Sequence, residues 1–111
     1  MLAHDLNQFI KGWFLGPFSP TLKQTEHFEC AVKKYKAGDY EEKHYHSVAT
    51  EYTVIATGRV LMNGIEYGAD SIIEIRPGEA TDFEALVDTI TFVVKTPAVT
   101  GDKYLGDNIR D

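Results

Sequence analysis

From residue 28 to residue 95 the chain is a series of short runs rich in β-branched and aromatic residues, each closed by a turn signal. The strongest signal is Asn63-Gly64, set between runs at 59–62 and 65–68. A two-residue type I′ hairpin turn needs positive φ at both central positions, which Asn and Gly tolerate best. Ala37-Gly38-Asp39 closes the run at 28–35, and runs at 43–46 and 51–56 follow it. Arg76-Pro77-Gly78 ends the run at 71–75, with Pro and Gly in the second and third turn positions that suit them. Runs at 81–86 and 89–95 complete the series before Pro97 breaks it. Short strands at this spacing, with little helix, predict an all-β barrel or jelly roll.

The 111 residues bound the answer to one small domain, and 43% hydrophobic with 25% charged residues is ordinary for a globular chain. The formal charge of −6 gives no basic footprint for nucleic acid or for an anionic membrane. Cys30 is the only cysteine, so there is no intrachain disulfide framework, and it reads as a small buried apolar residue within a strand. No apolar run reaches the length of a membrane span, and no signal-peptide core opens the chain. A cytoplasmic protein is the expectation.

Within the strand series lies Gly38 to Gly58, which reads Gly-x5-His-x-His-x4-Glu-x6-Gly with His44, His46 and Glu51. On a strand, His44 and His46 share a face. Two imidazoles and a carboxylate are a common ligand set for a borderline divalent metal. Glu51 is an odd number of residues from His46, so it joins the pair only if 47–50 turn the chain and Glu51 begins the next strand.

Outside the strand series, residues 3–11 predict a short amphipathic helix ended by Gly12. The stretch 12–20, dense in aromatics, Gly and Pro, predicts an extended arm whose Trp13, Phe14 and Phe18 pack against the domain or a partner. The polar tail 99–111 either folds back over the barrel or frays.

On the residues of the Gly38–Gly58 motif the chain resembles the cupin superfamily, small jelly-roll β-barrels with two sequence motifs. The first motif is matched by Gly38, His44, His46, Glu51 and Gly58. The second is matched in part by Ala69-Asp70, Ile72, Ile73, Ile75, Pro77-Gly78 and Phe83, while Thr81 stands where the family carries a histidine. The resemblance implies a single cupin domain over 1–111, with helix and arm at 1–27, barrel at 28–96 and tail at 97–111. It also implies that His44, His46 and Glu51 bind a divalent metal (Fe, Mn, Zn, Ni or Co) inside the barrel, and that two chains pair as a homodimer.

Thr53, at strand spacing from Glu51, is expected to line the cavity with Thr81, Phe83, Met62 and Tyr35. Asp82 is expected to face away from it. Lys33 and Lys95 would meet an acidic substrate group if they pointed inward, but outward snorkelling to solvent is the expectation for both. Glu41-Glu42-Lys43 reads as a solvated strand entry, with Glu42 sharing the parity of His44. The function expected is a metal-dependent enzyme acting on a small polar, carbohydrate-related molecule, with no general acid or base assigned. The alternative is a metal-free, non-catalytic binding or accessory module.

Overall fold

A computed structural model describes residues 1–108; the last residues of the expected tail, 109–111, lie outside the described residues. The described strands are β1 (Trp13–Leu15), β2 (Glu29–Tyr35), β3 (Tyr40–His46), β4 (Thr50–Thr57), β5 (Arg59–Met62), β6 (Ile65–Gly68), β7 (Ile72–Ile75), β8 (Thr81–Ala85), β9 (Thr89–Thr96) and β10 (Lys103–Leu105). They form two antiparallel sheets in the orders β1-β2-β9-β4-β7 and β10-β3-β8-β5-β6. The chain is all-β, as the run-and-turn pattern predicts. The sheets reach beyond the expected 28–96 span, because the arm contributes β1 and the tail folds back as β10.

Local chemistry fixes the turns. Asn63 and Gly64 take φ of 51° and 78°, and the turn is held by the Asp82 carboxylate, which accepts from the Asn63 amide at 2.8 Å. The two motif glycines serve different ends. Gly38 has φ of 94° with open space around it, so backbone conformation alone demands glycine there. Gly58 has φ of 100° and also lies against backbone, with the Asp88 carbonyl oxygen 2.7 Å from where a Cβ would stand.

The helix expected over 3–11 is corrected to two 3₁₀ turns, Leu6–Gln8 and Ile10–Gly12. Asp5 and Gln8 form a capping box on the first turn, but Phe9 is extended and Lys11 sits at φ 52°. Neither turn buries a residue, so no packed apolar face sustains a helix too short to persist by itself. Among the described residues no helix is long and apolar enough to cross a membrane.

One end of the space between the sheets is filled by Ile55, Val60, Met62, Ile75, Phe83 and Ala85, with Tyr35, Tyr67 and Ile73 packed on them. The outward faces are apolar in part as well. Across β2, β9, β4 and β7, Val32, Phe92, Val54 and Ile72 pair side by side in one outer row.

The glycines generate a graded prediction. Gly38→Ala should cost about 1–2 kcal/mol, the penalty for a left-handed L-residue. Gly58→Ala should cost clearly more, because its methyl also meets the Asp88 backbone. Urea denaturation of both variants reads the difference, and equal losses would contradict the close approach at Gly58.

Candidate metal and ligand site

The β3–β4 turn decides whether Glu51 can face the histidines. Ser47, Val48 and Ala49 make that turn, and Asp102 from the C-terminal segment holds it. The Asp102 carboxylate accepts from the Ser47 amide (2.9 Å) and hydroxyl (2.8 Å), the Val48 amide (3.1 Å) and the Ala49 amide (2.9 Å). It is buried at 5% exposure. Burial pushes this carboxyl up, but the hydrogen bonds from Ala49, Ser47 and Val48 outweigh it, and the net shift is below the usual carboxylate range. Sequence reading gave Asp102 no role. An acid followed by Lys and Tyr carries no local sign of a partner more than fifty residues away.

So turned, the chain brings His44 and His46 on β3 together with Glu51 on β4. One donor atom from each lies within 4.8 Å of the others. The two imidazole rings stand 5.4 Å apart and nearly perpendicular. His44 Nδ1 is 2.9 Å from the Glu42 carbonyl, so that nitrogen carries the proton and Nε2 is left as the donor. His46 is buried, and burial, then the charges of Lys95 and His44, pull its pKa down to about 4. It is therefore a neutral imidazole at neutral pH, the form that binds a metal. Thr53 Oγ1 donates to Glu51 Oε2 at 2.8 Å and fixes the carboxylate.

The donor set fits a divalent transition ion. Donors about 2.1 Å from one ion stand roughly 3–4 Å apart, so small side-chain rotations close the set. Thr81 is the cross-strand partner of His44, but its hydroxyl donates to the Asp82 carbonyl at 2.7 Å. Asp82 accepts from Asn63 at the hairpin rather than from the triad.

The triad opens into a cavity of about 430 Å³. Tyr35, Thr53, Met62, Thr81 and Phe83 line it. His4 and His27 are exposed elsewhere on the molecule.

Two expectations need correction. Lys33 and Lys95 do not snorkel outward; both line the cavity, paired at 2.9 Å with Glu41 and Glu29 respectively. The nearby carboxylates make the inward course favourable, and Trp13 adds its ring face, 5.8 Å from Lys33 Nζ and 4.9 Å from Lys95 Nζ. Glu41, not Glu42, points inward. A bulge in β3 between Glu41 and His44 pairs these two with Phe83 and Thr81, so Glu42 and Lys43 together oppose Asp82 and the parity count fails. The arm packs on its own chain and walls the cavity: Trp13 pairs with Ala31 of β2, and Phe18 meets the Trp13 ring edge-on at 6.5 Å.

Inside, Glu41 Oε2 also accepts from the Tyr35 hydroxyl at 3.2 Å. Burial pushes the Glu41 carboxyl up, yet Lys33, Tyr35 and His44 bring it below its ordinary value. Burial and Glu41 together push the Tyr35 phenol strongly upward. Cys30 is buried and its thiol is raised by burial and by Glu29, as suits an inert packing residue.

The latch yields a stability prediction. Asp102→Ala leaves three amides and a hydroxyl without their acceptor and should cost about 3 kcal/mol or more. The folded carboxyl has the lower pKa, so on acidification the unfolded chain takes up the proton first. The contribution is complete above about pH 4 and drains away below it. Urea denaturation from pH 7 to 3 should show this acid loss in the wild type and a flatter acid limb in Asp102→Asn. A wild-type and Asp102→Asn pair with the same acid limb would contradict it.

No protein-family model matches the sequence, and no curated protein matches it. Solved structures do resemble the fold. A conserved protein with a double-stranded β-helix domain from Klebsiella pneumoniae superposes with a TM-score of 0.72 at 17% identity, over 95% of this chain and 91% of that one. The DMSP lyase DddQ from Ruegeria pomeroyi gives 0.68 at 17% identity, over 94% of this chain but only 56% of that one. An RmlC-like cupin from Shewanella frigidimarina gives 0.62 at 14% identity, over 68% and 70%. The chain thus has the double-stranded β-helix fold of these proteins, an RmlC-like cupin among them.

Proposed function

We propose that His44, His46 and Glu51 hold a divalent transition metal and that the cavity binds a small polar, carbohydrate-related molecule at it. One observation carries this reading: three donors of two imidazoles and a carboxylate converge within 4.8 Å at the wall of a cavity. A facial set of three leaves coordination positions for a ligand, and a metal there would supply Lewis acidity toward a bound oxygen. Glu51 takes part in none of the ion pairs among the described residues, while Lys33 and Lys95 are each matched by a glutamate. A divalent ion at Glu51 therefore leaves a net positive charge at that end of the cavity, which suits an anionic oxygen ligand. The setting in sugar chemistry is supported by the polar lining of Thr53, Thr81 and Tyr35.

A second reading has its own observation. Lys95 Nζ lies 3.4 Å from His46 Nε2, where its ammonium takes the position of a cation. On that reading the cavity is a metal-free binding module and Lys95 itself holds the anion.

Two chains pair as a homodimer in this proposal, through the outer row Val32, Phe92, Val54 and Ile72. Ile72 is 67% exposed at the sheet edge, and an apolar row of this kind favours a covered surface. Sedimentation velocity should find a dimer that Phe92→Lys dissociates, and a monomeric wild type would exclude it.

Elemental analysis after loading with Mn²⁺ or Ni²⁺ and exhaustive dialysis tests the metal. About one equivalent per chain is expected in the wild type and near none in His44→Ala. Lys95→Met should raise metal affinity about tenfold by removing a positive charge beside the site. Metal content near zero in wild type and in Lys95→Met, with anion binding that survives chelator, would establish the metal-free module instead.

A further inference from the structure

Cross-strand pairing sorts the inner face of β2, β9 and β4 into rows. Glu29, Lys95 and Glu51 make one row beside the triad, Ala31, Val93 and Thr53 the next, and Lys33 and Thr91 fall in the third. Along each strand the first and third rows are four residues apart, on the order of 13 Å of backbone. The cavity therefore has a second polar end, still within electrostatic reach of the triad, since the His44 charge lowers the Glu41 carboxyl and the Glu51 charge raises the Tyr35 phenol.

At that end Glu41 reaches across from the facing sheet to accept from Lys33 Nζ at 2.9 Å and from the Tyr35 hydroxyl at 3.2 Å, both at Oε2. Thr91 is buried at 1% exposure and lines the same cavity. Its Oγ1 has no hydrogen-bond partner among the described residues. The hydroxyl is near the Tyr35 phenol, close enough to act on its ionisation, but outside hydrogen-bond geometry. A buried hydroxyl left unpaired is unfavourable, and valine would fill the same volume without that cost. Its retention in a cavity wall marks a position where a ligand group supplies the missing partner.

We propose that Lys33, Tyr35, Glu41 and Thr91 form a hydroxyl-recognising subsite, and that the molecule bound at the triad is a hydroxy acid. Its carboxylate lies at the end made positive by the metal at Glu51, and its hydroxyl-bearing carbons lie at this cluster. The inference rests on the metal reading above. Lys33 and Glu41 neutralise each other, so the cluster does not call for a second full charge. It offers donors and an acceptor together, which is what a hydroxyl, both donor and acceptor, requires. Between the two ends, Val93, Met62, Phe83 and the Trp13 ring are interleaved with the hydroxyls of Thr53 and Thr81, so a hydroxylated carbon chain meets polar as well as apolar walls.

Calorimetric titration of Mn²⁺-loaded, dialysed protein tests this with three probes of matched length: D-gluconate, hexanoate and D-glucitol. Gluconate should bind at least about tenfold more tightly than either of the others, because only it engages both ends. Thr91→Val should weaken gluconate about tenfold and leave hexanoate within about twofold. Its melting temperature should be no lower than that of the wild type, so folding is not in question. Tyr35→Phe should shift gluconate in the same direction. Equal affinity for gluconate and hexanoate, no gluconate binding, or a Thr91→Val protein that binds gluconate as the wild type does would overturn the subsite. Metal content of the same samples separates the causes. A chain that takes up no Mn²⁺ fails the metal reading, whereas a loaded chain without a gluconate preference fails the subsite alone.

Discussion

Asp102 enters the turn between β3 and β4 from the far end of the chain, and its buried carboxylate gathers the amides of Ser47, Val48 and Ala49. Without a fixed turn there, strand parity would set Glu51 against the histidines rather than with them. The latch also ties the C-terminal segment to β3, where Lys103, Tyr104 and Leu105 pair with His46, Tyr45 and His44, and Tyr104 stacks on Tyr45 at 5.3 Å. From the opposite side the Gly78 amide donates to the His46 carbonyl at 2.7 Å, so the Pro77-Gly78 turn braces the same strand. Charge-assisted hydrogen bonds to a buried carboxylate are among the stronger single terms available to a small domain. Here they set the geometry of the site.

The strands were legible because their signals are local. Asn63-Gly64, Pro77-Gly78 and Gly38 specify turns by backbone chemistry that neighbouring residues express directly. The spacing of His44, His46 and Glu51 was equally plain. What escaped sequence reading depends on distant partners or on an unmarked backbone irregularity. The bulge ahead of His44 contains no glycine, so nothing announced that Glu41 rather than Glu42 turns inward. On β9 the alternation itself misleads: Ile90, Phe92 and Val94 look like the core face, yet they face outward. Thr91, Val93 and Lys95 line the cavity instead. A barrel with a polar cavity inside and an apolar row outside inverts the usual pattern of an antiparallel sheet.

That inversion connects fold to function. Two lysines and two glutamates inside a small barrel would be costly without close pairing, and both pairs stand at 2.9 Å. Buried charge of this kind adds little net stability. The described cavity thus has a triad with an unmatched carboxylate at one end, a neutral donor–acceptor cluster at the other, and aromatic walls supplied partly by the arm. Thr81 beside His44 leaves the proposed metal site with three protein donors, which would keep more of the coordination sphere open to a ligand.

The central claim is that His44, His46 and Glu51 act together as one metal site. Anomalous diffraction from crystals of the Mn²⁺-loaded protein, recorded on either side of the metal absorption edge, tests it most directly. One strong peak per chain is expected, about 2.1 Å from Nε2 of His44, a ring nitrogen of His46 and an oxygen of Glu51. A loaded crystal with no peak there, or with metal only on surface carboxylates, would contradict it.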